Sequence, residues 1–229
     1  MLISILALAL GAATLVLAAP GPTACATIEA RANILESASG VYFDKTLTSA
    51  ERKQFASLLE QGRARIEERF GPPIASPVVV RIKDRGALWP FRFNSYGSTS
   101  FVGPRACVVV GPDGANIDVV SHELMHAELF ERVGWWRRLT AVPTWFDEGV
   151  GMQVDYRTRY GLAPDADSSA ARTLESPREF FVADDKELTR HYAASRAEVA
   201  RWLASVGGQD LFAAFARIRA GQPFDSVVK

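Results

Sequence analysis

Apolar positions along the chain follow several distinct rhythms. The first stretch has none: from Leu2 to Ala19 no residue is charged, and only Ser4, Gly11 and Thr14 interrupt the apolar run. A run of this length lies on the border between a secretory leader and a membrane-spanning helix. No Lys or Arg precedes it, which departs from the usual leader, whereas Ala24-Cys25-Ala26 has the small-x-small form of a cleavage site. A buried core helix would carry a polar stripe, and this run has none. Residues 1–26 are therefore expected to be a signal peptide or an N-terminal membrane anchor. The product is expected to be exported (periplasmic or extracellular) or tethered to the membrane through residues 2–19.

A helical period comes next. Leu47-Thr48-Ser49-Ala50-Glu51 has the form of a capping box, with Thr48 as the cap and Glu51 reaching back. Phe55, Leu58, Leu59, Ile66 and Phe70 then recur at near-helical spacing until Gly71-Pro72-Pro73 stops the helix. Val78-Val79-Val80-Arg81-Ile82 is a β-branched run and predicts a strand, as do Tyr96–Val102 and Ala106–Val110. After Gly111-Pro112-Asp113-Gly114 the helical period returns. Asn116 is the expected cap, and Val119, Val120, Leu124, Ala127 and Phe130 carry the pattern to Gly134.

Trp135-Trp136-Arg137-Arg138 reads as a loop whose tryptophans fold into the core, the other readings being a cleft rim or a membrane-interface contact. Pro143 suits the first turn of a helix carrying Trp145, Phe146, Val150 and Val154. Residues 157–177 are polar and read as a surface loop, and helices over Tyr192–Val206 and Gln209–Ala220 close the chain. The expected layout is α+β: a small mixed or antiparallel sheet, a central helix, and a mainly helical C-terminal part. Residues 27–229 read as one domain, with Thr27 to Tyr42 open between linker, inhibitory segment and part of the fold.

Charge and cysteine content change this picture little. Twenty-six basic residues balance 26 acidic ones, and no basic tract is interleaved with aromatics. Nucleic acid is accordingly not expected as a partner. The two cysteines, Cys25 and Cys107, pair in an oxidising compartment if Cys25 survives processing. If it does not, Cys107 is left as a small buried apolar residue.

Candidate chemistry lies in the central helix. Two of the three histidines form His122-Glu123-Leu124-Met125-His126. Histidines four apart project from one helix face, so both imidazoles can reach one zinc ion. Glu123, between them, lies beside the open position of such an ion, where a carboxylate can take a proton from bound water. The third ligand must come from elsewhere. Glu148, in Trp145-Phe146-Asp147-Glu148-Gly149, is well placed, with Asp147 as its rival.

These motifs resemble the gluzincin zinc metallopeptidases, in the compact peptidase-MA-like form that shares the thermolysin-type catalytic core. The resemblance rests on His122 to His126 and on Pro143-Thr144-Trp145-Phe146-Asp147-Glu148-Gly149. Tyr192-Ala193-Ala194-Ser195, Gly207-Gly208 and Gly221-Gln222-Pro223-Phe224-Asp225 carry it more loosely. It covers about residues 78 to 225.

The resemblance implies a zincin-like fold and one Zn²⁺ held by His122, His126 and Glu148. It also implies a peptide or protein substrate, hydrolysed by Glu123-assisted attack of a zinc-bound water. An edge strand, Tyr96–Val102 or Ala106–Val110, would hold that substrate extended. The oxyanion donor would be Tyr192, with His191 as the alternative. Thermolysin-type enzymes commonly place an Asp four residues after the third ligand to orient a metal histidine; here that position is Met152. Asp118 and Asp147 remain as candidates for the orienting role. Two other readings stay in play: a zinc amidohydrolase acting on a non-peptide amide, and a catalytically inactive zincin-like binding or scaffold domain, against which the intact Glu123 argues.

Overall fold

The computed structural model describes residues 40–84, 94–100, 105–161, 167–207 and 210–229, and the backbone of 34–37. The apolar run at 2–19 and the cleavage motif at 24–26 lie outside the described residues. Among those described, no helix is long and apolar enough to cross a membrane.

The architecture is α+β, built on a mixed sheet of order β1-β2-β3-β5-β4. The strands are β1 (Ile34–Ser37), β2 (Val41–Asp44), β3 (Val78–Arg81), β4 (Gly97–Ser100) and β5 (Cys107–Val110). The inner strands β2, β3 and β5 run parallel, while β1 and β4 join the two edges antiparallel. Every residue of β3 and β5 is buried. Strands buried on both faces read as unbroken apolar runs, which is why Val78-Val79-Val80 and Val108-Val109-Val110 show no alternation.

Two sequence expectations are refined here. The segment from Ile34 onward belongs to the fold. Of the two candidate edge strands, β4 is the edge and β5 is interior, with Ser98 opposite Val109 and Thr99 opposite Val108. Both strands begin one residue later than the runs that suggested them.

Helix α1 (Ser49–Phe70) connects β2 to β3. Thr48 and Glu51 form the expected capping box, and Phe55, Leu59, Ile66 and Phe70 line the buried face. It packs against α2 (Ile117–Val133), the axis of the molecule. Asn116 caps α2 through its side chain, which accepts from Val119 N at 3.0 Å. Helix α2 is buried almost all round, His122, Glu123, His126 and Glu128 included. A helix so placed must give each internal polar group a partner. Glu128 accepts from Ala75 N at 2.6 Å and from Arg132 Nε at 3.0 Å.

The segment after Gly134 corrects the expectation of an inward-folded loop. Residues Trp135–Ala141 form a short helix, α3, with no buried residue. Trp135 is 52% exposed, Trp136 61% and Leu139 60%. The left-handed conformation of Gly134, φ 84°, turns the chain out of the core between α2 and α3. Helix α4 (Thr144–Gly151) returns the chain to the interior, buried from Trp145 to Gly151. Phe146 sits at its centre among Trp145, Trp202, Phe215 and Phe224.

The polar stretch after residue 156 is also more structured than a loop. It holds 3₁₀ turns at Thr158–Tyr160 and Ser168–Thr173 that bury Tyr160 and Ala171 against α6. A short helix α5 (Pro177–Phe180) precedes α6 (Asp185–Ser205), which begins seven residues before Tyr192 because Asp184 caps it by accepting from Glu187 N. Helices α7 (Leu211–Arg219) and α8 (Phe224–Val227) complete the fold. Cys107 is disulfide-bonded, and Cys25 is the only other cysteine in the chain.

Candidate metal centre

Two neighbouring helices bring the candidate ligands together. On α2, His122 and His126 stand one turn apart with ring centroids 4.7 Å from each other. On α4, Glu148 faces them. The facing atoms form a triangle: 3.0 Å between the two Nε2 atoms, 3.4 Å from His122 Nε2 to Glu148 Oε2, and 3.6 Å from His126 Nε2 to the same oxygen. Tetrahedral ligands at the usual zinc distances of about 2.0–2.1 Å stand roughly 3.3 Å apart. The residues present therefore fit a tetrahedral ion, and the three ligand atoms lie within 4.8 Å of one another.

The tautomer of His126 supports the same reading. Its Nδ1 lies 2.7 Å from Asp147 Oδ1 and donates to that carboxylate, so the neutral ring would present its Nε2 lone pair to the triangle. Asp147 thus bonds His126 Nδ1 and is not among the three residues whose ligand atoms converge. Its other oxygen accepts from Arg138 of α3. Asp118, the other candidate for the orienting role, is engaged elsewhere: Arg65 Nη1 lies at 2.6 Å and Tyr156 N at 3.2 Å.

His122 is arranged differently. Its buried Nδ1 makes no hydrogen bond, and the closest acid is Asp155, with Oδ2 at 3.7 Å. Asp155 is fully buried and held by Arg157 Nε at 2.9 Å. It lies three residues beyond Met152, just past α4, so a search for an acid at fixed spacing does not reach it.

Burial and charge act against each other throughout the centre. Burial would raise the Glu148 carboxyl, but His126 and His122 beside it hold it well below the usual carboxylate range. Burial likewise opposes the ionised form of Asp147, and Arg138 and His126 outweigh it. His126 is pushed well above an ordinary histidine: burial favours the neutral ring, but the Asp147 and Glu148 carboxylates dominate. Positive charge is therefore favoured where the three ligand atoms converge.

Glu123 lines the same cavity as Glu148. Thr99 Oγ1 on β4 donates to Glu123 Oε2 at 2.6 Å. Burial raises the Glu123 carboxyl above its usual range, against the lowering influence of both histidines and of Thr99. Two glycines make room for these side chains. A Cβ on Gly97 would stand 2.7 Å from Glu123 Oε1, and one on Gly151 would stand 2.8 Å from His122 Cε1. Such separations are below van der Waals contact, so larger residues would displace Glu123 or His122.

A cavity of about 230 Å³ opens over the centre, lined by Gly97, Ser98 and Thr99 of the edge strand, by the candidate ligands, and by Arg138, Phe181 and Tyr192. Tyr192 is fixed between Phe180 and Tyr160, at ring distances of 5.1 and 5.2 Å, and its ring lies 6.2 Å from that of His122. Burial, followed by the negative field of Glu148, raises its phenol far above the ordinary value, so at neutral pH it is a proton donor. His191 lies outside the cavity, its Nδ1 donating to Phe180 O at 2.8 Å. Of the two candidate oxyanion donors, only Tyr192 lines the cavity.

No protein-family model matches the chain, and no curated protein or solved structure matches it either.

Proposed function

We propose that this chain is a zinc-dependent metallopeptidase of the gluzincin type, with a zincin-like fold and one Zn²⁺ per chain. The observation that carries this reading is the ligand triangle of His122, His126 and Glu148, with Glu123 and an open cavity on its free side. A zinc ion held there would supply Lewis acidity to water and to a carbonyl oxygen.

The remaining work falls to the side chains. Edge strand β4 has no strand on its outer side among the described residues and offers main-chain groups to an extended peptide. Glu123 Oε1, free of the Thr99 bond, accepts the proton of the attacking water and returns it to the leaving amine. The Tyr192 hydroxyl donates to the oxygen on which negative charge develops. Asp147 holds His126 in the tautomer that presents Nε2. The domain works exported or tethered to the membrane through residues 2–19.

Metal stoichiometry on the purified full chain tests the reading. One zinc per chain is expected, absent or much weakened in His126→Ala and Glu148→Ala, followed by cleavage of a peptide library that Glu123→Gln abolishes. Folded protein that takes up no zinc on reconstitution would exclude it.

A further inference from the structure

Helix α3 exposes an apolar face that the metal centre does not account for. Trp135 and Trp136 pack edge to face at 5.6 Å, and Leu139 follows at i+4 and i+3 from them, hence on the same side. All three are more than half exposed. Arg137, also exposed, lies against Gly221, whereas Arg138 turns inward to Asp147. Paired tryptophans beside a leucine and an arginine are the composition of a water–lipid boundary, where indole rings and cationic heads meet headgroups.

Two features of the chain indicate what covers this face. As a helix, at 1.5 Å per residue, the uncharged run Leu2–Ala19 would span about 27 Å, close to the roughly 30 Å hydrocarbon layer of a bilayer. It ends six residues before Cys25, the only cysteine available within the chain to bridge Cys107. Six residues span at most about 21 Å, so a Cys25–Cys107 bridge would hold the sheet close to whatever the run enters.

Cys107 begins β5 opposite Val78. The segment leading into Val78 is bound to the last two turns of α2: Ala75 N donates to Glu128, and Arg132 Nη2 donates to Pro72 O at 2.7 Å. The start of β5 and the end of α2, from which α3 departs, thus share one end of the molecule. We infer that the Trp135–Trp136–Leu139 face of α3 rests in the interface of the lipid bilayer that the N-terminal run enters, so that the domain lies on the membrane with α3 as a second contact.

The test uses the full chain in phosphatidylcholine vesicles whose acyl chains are brominated near the headgroup, in a Trp89→Phe background. Trp145 and Trp202 are each 2% exposed within the core and report no lipid contact. Bromolipid should quench roughly half of the emission, and Trp135→Ala/Trp136→Ala should remove most of that quenching. Leu139→Lys keeps both fluorophores and should make the quenching shallower.

Equal quenching in the parent and the double variant would overturn the inference. So would acrylamide access to Trp135 and Trp136 that vesicles leave unchanged. If the lipid-free chain already shields them, a concentration-dependent shield means a second copy covers the face and a concentration-independent one means the N-terminal run does; either result overturns it. None of these readouts involves metal or hydrolysis, so the outcome is separate from that of the peptidase reading.

Discussion

Helices α2 and α3 are consecutive in the chain and opposite in character. Helix α2 is buried almost all round and carries two histidines and two glutamates in the interior; α3 buries no residue and leaves its tryptophans outside the core. The difference shows where rigidity is needed. The candidate ligands and Glu123 would have to keep fixed separations to act together, and they sit on helices locked by neighbours, α1, α4, α7 and the sheet among those around α2. The link between the two ligand-bearing helices has no such duty, except at Arg138, which reaches back to Asp147.

Substitutions on either side of this divide sharpen the contrast. The largest effect is expected from Glu123→Gln, which keeps shape and removes the base. Peptide hydrolysis should fall by about 10²- to 10⁴-fold while zinc content, measured in parallel, stays at the parental level. Asp147→Asn should cost about 10- to 100-fold in zinc affinity by competition titration, because His126 loses the carboxylate that fixes its tautomer. Gly151→Ala forces a methyl against the His122 ring, and denaturant unfolding should show a loss of about 1–3 kcal/mol. Trp135→Ser, by contrast, should leave stability within about 0.5 kcal/mol of the parent, since it creates no cavity.

The smallest effect is electrostatic and lies far from the centre. The hydrogen bonds of Glu51 to Lys83 and Thr48 lower its carboxyl to about 2. A lowered folded-state pKa stabilises the protein above the ordinary carboxylate value of about 4.5 and ceases to do so as pH falls through about 2. Glu51→Gln should therefore lower the melting temperature slightly at neutral pH and change nothing near pH 2.

What the sequence made legible was local. Thr48 and Glu51, Asn116, and the pair His122 and His126 each depend on separations of four residues or fewer, which helix geometry alone converts into position. Choosing between Asp147 and Glu148 required the angle of α4 against α2, which no spacing encodes. Asp155 is hidden for a related reason: it sits past the end of α4, outside any helical period.

The tryptophans of α3 lie outside the core because apolar character alone does not imply burial. The link between the two fails wherever the chain must leave the core, and here it does so at Gly134. Gly149, next to the third candidate ligand, shows how small residues carry hidden meaning. A Cβ there would meet Ser195 O of α6 at 2.6 Å, a contact invisible until both helices are in place.

The carboxylate of Asp147 is shared by a guanidinium on the exposed helix α3 and an imidazole on the buried helix α2. Any event that draws Arg138 outward leaves the negative charge of Asp147 entirely to His126, making Nε2 a stronger electron donor. By thermodynamic reciprocity, an ion that demands more from Nε2 must loosen Arg138 to the same degree. Surface attachment and ion affinity would then be two readings of one equilibrium, exchanged through a single acid.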